Sequence, residues 1–242
     1  NLIGTIPGTD PDAKPIVVGS HIDTVPTGGK YDGVLGVLGG MEAAKRLKGT
    51  TKHPIQVVAF YDEEDSMSGS IGFTQSKSVY DIKAFLELHV EQGPVLDKRG
   101  ADIGVVEGIV GQRRCKFVIT GQANHAGTTP MDMRDDALVK ASELVSYVYH
   151  RASIYDGLVA TVGKLDVSPN LFSIIPGRVD LTLQIRDLDT SNIIRFASDV
   201  ASKFDLIYET DYESTPALCD RKIMDMISDS TGDLSYIEMP SR

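Results

Sequence analysis

The sequence is poor in the features that tie a chain to a membrane, a nucleic acid or an oxidising compartment. Only two cysteines, Cys115 and Cys219, occur in 242 residues, far apart and in no CxxC pair. That excludes a disulfide framework and a thiolate metal site, and it fits a reducing, cytoplasmic setting in which both are plain apolar residues. No apolar run reaches eighteen residues, which excludes a hydrophobic spanning helix. Lys and Arg form no block, and the formal charge is −10. Non-specific affinity for nucleic acid or for an anionic membrane is therefore not expected, and a small-molecule ligand is. Neither an internal repeat nor a low-complexity segment is present.

What is present is a pattern of short buried strands that end in polar residues. PIVVGS (15–20) and IQVVAFYDEE (55–64) are apolar runs of this kind, as parallel strands with functional loops at their carboxyl ends would be. Between them Val34, Val37, Leu38, Met41, Ala44 and Leu47 recur at helical spacing. Lys45, Arg46 and Lys48 suit the negative end of the helix dipole, and Gly49 can close the helix. This is a β-α-β unit and predicts an α/β domain with a mostly parallel sheet flanked by helices.

From about residue 103 the pattern changes to strand, helix, strand, strand, helix, strand. RCKFVIT (114–120), LVATVGKLDV (158–167), GRVDLTLQIRD and LIYETDY (206–212) supply the strands. In the third of these, Val179, Leu181, Leu183 and Ile185 alternate with polar residues. The order is that of a ferredoxin-like α+β unit. Residues 107–214 are accordingly expected to be an inserted domain, with 1–106 and 215–242 forming the first.

Three strand ends offer nitrogen or oxygen ligands. VVGSHIDTVPTGGKYDG (17–33) brings His21, Asp23 and Asp32; DEE (62–64) brings Glu63 and Glu64; FLELHVEQGP brings His89, followed by Glu91 and Gln92. Each alone has a plain reading: a core histidine, a helix N-cap at Asp32, a solvated acidic turn. Together they are costly unless a cation or solvent neutralises them, because adjacent carboxylates at a sheet edge repel. With no thiolate among them, zinc or manganese and a hydrolytic use are indicated.

GSHIDTVPTGGKYDG, the DEE pair, ELHVEQGPVLD, GQRR, NHAGTTPMDMRDDAL and the SPN…IPG…R block together resemble the binuclear-zinc aminoacylase/carboxypeptidase superfamily. Within it they are most similar to the N-carbamoyl-L-amino-acid hydrolase and allantoate amidohydrolase family. The resemblance implies two divalent metal ions per subunit (zinc, or manganese or cobalt), with His21 and His89 on one, Asp32 bridging and Glu64 on the second. It further implies that Asp23 holds the His21 ring and that Glu63 is the general base. The ferredoxin-like unit would be a dimerisation (lid) domain of a homodimer. From it, His125 would stabilise the oxyanion in the neighbouring subunit's site and Arg186 would clamp the carboxylate of a small substrate. On the residues alone Arg186 reads as a surface arginine and His125 as a turn histidine. Gln92, Gln112, Asn124 and Ser173 are further substrate contacts. The implied reaction is hydrolysis of the ureido C–N bond of an N-carbamoyl-L-amino acid or allantoate. An aminoacylase or metallopeptidase, and a non-catalytic binding relative, are the alternatives.

The chain departs from the family at several places. No histidine follows His150, where the family has a fifth ligand near its C-terminus, and MPSR resembles the segment that precedes it. Asp65, Ser66 and Met67 replace the usual glycine and arginine after the acidic pair. Ser173 stands where an asparagine is common, and the segment between Glu64 and His89 is short.

Overall fold

The computed structural model describes residues 1–76 and 81–241. Part of the short segment between Glu64 and His89, and the last residue of MPSR, lie outside these. The chain forms two compact units, Asn1–Gly93 and Pro94–Arg242.

The first unit is built on a four-stranded sheet of β1 (Leu2–Ile6), β2 (Ile16–His21), β3 (Ile55–Phe60) and β4 (Ala84–Leu86), in the order β1-β3-β2-β4. β2 runs parallel to both β3 and β4, while β1 pairs antiparallel with β3 along the edge. Register places His21 beside Phe60, so β2 and β3 release their next residues at the same end of the sheet. Val17, Val58, Phe60 and Phe73 form the core, the last from α2 (Ser68–Ser76).

Helix α1 (Val34–Leu47) forms where its periodicity places it, but its buried face is not the large-residue face. Gly36, Val37, Gly40 and Ala44 are buried, whereas Leu38, Met41 and Leu47 are exposed. The reason is close approach: a Cβ on Gly36 would lie 2.3 Å from the Leu88 carbonyl oxygen. The helix seats its smallest residues against its neighbours and turns the larger ones away. Nor is Asp32 a cap: Gly33 occupies the N-cap position, and no side chain caps the helix.

The second unit contains the βαββαβ order in full: β6 (Gly111–Thr120), α4 (Ala137–Ala152), β7 (Val159–Ser168), β8 (Arg178–Asp187), α5 (Thr190–Phe204) and β9 (Tyr208–Ser214). Its sheet is antiparallel throughout, in the order β7-β8-β6-β9. Alternation on β8 sends Val179, Leu181, Leu183 and Ile185 to the helix side, where they pack with Phe117, Leu144, Phe196 and Val200. Asp136 and Asp189 cap the two helices by accepting backbone N–H groups, which fixes both starting points. A second sheet joins β5 (Ile103–Ile109), β10 (Ala217–Leu218) and β11 (Tyr236–Ser241), with α6 (Arg221–Asp229) between the last two in sequence. Its strands flank the βαββαβ segment on both sides along the chain. The overall class is mixed α/β.

The two cysteines, both free, differ in burial. Cys115 is fully buried in the β6 core, and that burial pushes its thiol up to about 11, whereas Cys219 is exposed. Since thiolate is the reactive form, Cys115 should be inert in the folded chain. Labelling with a disulfide reagent near neutral pH is expected to count one thiol per native chain and two after denaturation. Two rapid equivalents in the native chain would mean that the β6 core is open.

Candidate metal centre

All three ligand-bearing segments of the first unit meet. His21 and Asp32 are buried, and His21 Nε2 lies 3.3 Å from His89 Nε2, with Asp32 Oδ1 3.4 Å from the latter. The other nitrogen of each ring faces a backbone carbonyl, Nδ1 of His21 on Asp23 O and Nδ1 of His89 on Val90 O, both at 2.8 Å. A carbonyl only accepts, so each Nδ1 carries the hydrogen, and each neutral ring turns a bare lone pair from Nε2 toward the other.

Three acceptors thus converge with no donor among them. Asp32 Oδ1 is buried without a hydrogen-bond partner, a condition that costs roughly 1–3 kcal/mol or more for a charged group. A single proton can bridge only two of the three atoms. A cation satisfies all three at once, and the spacing suits one. Ligands about 2.0–2.1 Å from a tetrahedral centre lie roughly 3.3 Å apart. His21, Asp32 and His89 therefore fit a divalent metal on their chemistry and their separations alike.

Glu63 and Glu64 form a second group with His21, Glu63 Oε2 standing 3.7 Å from His21 Nε2. Burial first, then the Asp32 carboxylate beside it and that of Glu63, raise the Glu64 carboxyl above its ordinary range. This is the crowding of like charges that a cation relieves. Glu64 thus stands beside both Asp32 and Glu63 in the group that includes His21.

The supporting shell explains how the residues are held. Asp23 orients His21 through its carbonyl rather than its carboxylate. That carboxylate accepts the Glu64 backbone N–H at 3.1 Å and so ties the DEE turn to β2. Burial alone would raise the Asp23 carboxyl, yet the backbone amides of Glu64 and Glu63 hold it below its ordinary value. Gln92 donates from Nε2 to Asp32 Oδ2 at 2.9 Å, which leaves Oδ1 as the free atom. Within this unit its amide therefore serves Asp32, where a substrate contact was expected. Gly33, at φ 66°, makes room for the ring: a Cβ there would lie 2.4 Å from His21 Nδ1.

The remaining candidates belong to the second unit. His125 is exposed on a loop that bridges to Ile174. Its Nδ1 accepts the Gly127 N–H at 3.0 Å, so in the neutral ring the hydrogen is on Nε2, which faces outward as a donor. Asn124 and Ser173 join this loop to the 173–175 segment through their carbonyls, which accept from Ile175 N and Ala126 N at 2.8 Å each. Arg134, not singled out in the sequence, donates to the carbonyls of Ala126 and Thr129 and closes the loop. Arg186 and Gln112 lie opposite one another on β8 and β6, on the face away from the helices. Gln184 stands between them in the hydrogen-bond network, donating to Gln112 and accepting from Arg186.

Sequence reasoning named the residues that meet here but not Gly33, Arg134 and Gln184. Only the DG step after Asp32 carried a local signal. The other two act through contacts that the linear order does not display.

The chain is 37% identical over 230 residues to an N-carbamoyl-L-amino acid amidohydrolase of Geobacillus stearothermophilus, covering 78% of this chain and 56% of that protein. It is 36% identical over 244 residues to an allantoate amidohydrolase of Bacillus subtilis, covering 84% and 59%. The chain thus spans little more than half the length of these relatives. A crystal structure of a hydantoinase/carbamoylase family amidase from Burkholderia multivorans superposes with a TM-score of 0.88 at 30% identity, covering 99% of this chain and 71% of that one. The model of peptidase family M20/M25/M40 matches residues 17–241, and the chain belongs to that family.

Proposed function

We propose that this chain carries the metal-binding and substrate-recognition parts of a metal-dependent amidohydrolase. Its substrate would be an N-carbamoyl-L-amino acid or allantoate, cleaved at the ureido C–N bond. The observation that carries the proposal is the donor-free meeting of His21, His89 and Asp32 around the orphaned Asp32 Oδ1. Relatives named for these two activities narrow the class of amide. For an N-carbamoyl amino acid, one water is consumed, and the amino acid, carbon dioxide and ammonia are released.

Two divalent ions, zinc or manganese or cobalt, would be held here, one by His21 and His89 and the other by Glu64, with Asp32 shared between them. When bound they supply Lewis acidity toward the attacking water and the amide carbonyl. Glu63, next to a committed Glu64 and 3.7 Å from His21 Nε2, takes a proton from the water and passes it to the leaving nitrogen. Its half-exposed carboxylate has access to solvent for this exchange. His125 offers an Nε2–H to the oxygen on which charge develops, and Arg186 binds the substrate carboxylate with a planar pair of donors.

The segment 107–214 is assigned a lid and dimerisation role. An outward patch on α4 and β7, made by Leu138, Val145, Tyr149 and Leu165, supports a homodimer, since Tyr149 is 74% exposed. Free Cys115 and Cys219 suit a cytoplasmic location, and no described helix is long and apolar enough to cross a membrane.

Zinc titration of the chain is expected to give a tight first equivalent. Asp32→Asn should weaken it by ~100-fold or more, since even outer partners of metal ligands contribute about 10–100-fold. Unchanged zinc affinity would remove Asp32 from the centre. Glu63→Gln should keep the metal while ammonia release from N-carbamoyl amino acids falls by roughly 10²–10⁴-fold; full turnover in that variant would exclude Glu63 as the base. For the dimer, Tyr149→Asp is expected to shift sedimentation at micromolar concentration toward monomer. A wild-type chain that is already monomeric there would count against this surface.

A further inference from the structure

We infer that Gln184 is a positioning residue that fixes Arg186 and the Gln112 amide as hydrogen-bond donors on the open face of the β6–β9 sheet, which favours carboxylates over carboxamides. This rests on the reading of Arg186 as the carboxylate clamp and adds the residue that decides what the clamp rejects.

The argument starts from the one group whose polarity is fixed by chemistry. A guanidinium only donates. Arg186 Nη2 lies 3.3 Å from the Gln184 side chain, so the atom facing it is the amide oxygen, Oε1. That orientation points the Gln184 NH₂ the other way, where Nε2 donates to Gln112 Oε1 at 2.7 Å. With its oxygen engaged, Gln112 turns its own NH₂ outward. Two amides that could each present either end to a ligand are thus locked into one sense, and both Arg186 and Gln112 face outward as donors.

The surroundings leave this patch uncompensated. Gln112 and Arg186 are directly opposed, with Ser214 beyond Gln112 on β9 and Val159 beyond Arg186 on β7. Thr161 stands opposite Gln184. None of these is acidic, and among the described residues no ion pair involves Arg186. The contrast is Arg178 on the same strand, whose two nitrogens grip Asp180 at 2.6 and 2.7 Å. On the open face Asp180 pairs with Arg178, and Asp211 with Arg114 opposite Gln184, whereas Asp187 next to Arg186 is buried on the other face. A carboxylate ligand, an acceptor only, matches the Arg186 guanidinium and the Gln112 NH₂. A carboxamide lacks the charge that pairs with Arg186 and brings an NH₂ for which neither of these two groups is an acceptor, and such a mismatch is what makes sites discriminate.

The test uses the full chain with N-carbamoylglycine and its uncharged amide, N-carbamoylglycinamide, measured by turnover and by calorimetric binding. Gln184→Glu gives Arg186 an internal counter-ion and lets Gln112 donate inward. It is expected to raise KM and Kd for the carboxylate by about tenfold or more while changing those for the amide less than threefold. Gln184→Met, close in volume but without either polar atom, should narrow the carboxylate preference while leaving the melting temperature within a few degrees. Wild type preferring the carboxylate, with both variants keeping the same ratio, would overturn the role of Gln184 and leave the clamp standing. Wild type binding both ligands equally, or neither, would overturn the clamp and this inference together. Equal losses on both ligands in the variants would mark Gln184 as merely structural and overturn it too.

Discussion

The arrangement of the first unit follows from one unfavourable contact: two imidazole lone pairs and a buried carboxylate oxygen brought within hydrogen-bonding range with nothing to donate. Left empty, such a cluster repels. It persists because each participant is pinned from behind by a group that cannot be redirected cheaply. The Asp23 and Val90 carbonyls hold the two rings, and the Gln92 amide holds Asp32. The sheet supplies the frame. Parallel pairing of β2 with β3 and β4 puts three carboxyl ends on one edge, and Gly33 lets α1 begin against the His21 ring. Strain of this kind at a functional site is tolerated when the surrounding core holds it.

The same constraint acts on the acidic neighbours. Burial and the Asp32 carboxylate raise the Glu64 carboxyl, the crowding that a cation would relieve. Glu63 stands 3.7 Å from His21 Nε2 with 38% of its side chain open to solvent. Two adjacent residues of identical chemistry thereby meet different surroundings.

Much of this was legible in the sequence, and what was not has definite causes. Short apolar runs ending in His or acidic residues identified the strands and the polar residues that gather at their ends. Alternation along Val179–Ile185 gave β8 its correct faces. The helical periodicity of α1 misled, since it counts large apolar residues, whereas this helix packs through Gly36 and Ala44. Asp32 resembled an N-cap because Asp before a helix commonly is one; only the structure reveals its carboxylate turned toward His89. Asp23 was expected at His21 and is there, but through its carbonyl, a choice of atom that no residue pattern encodes. Gln184 was read as one of the polar alternates of a strand, and its meaning depends on what stands two residues along β8 and across on β6.

The two polar clusters, one in each unit, obey opposite rules. Around His21, His89 and Asp32 the converging atoms accept, so the complement of that cluster is a cation. Around Arg186 and Gln112 the guanidinium and the amide nitrogen donate, so the complement there is an anion. In each cluster the polarity is fixed by a glutamine amide that no charge pattern singles out, Gln92 holding Asp32 and Gln184 tying Arg186 to Gln112.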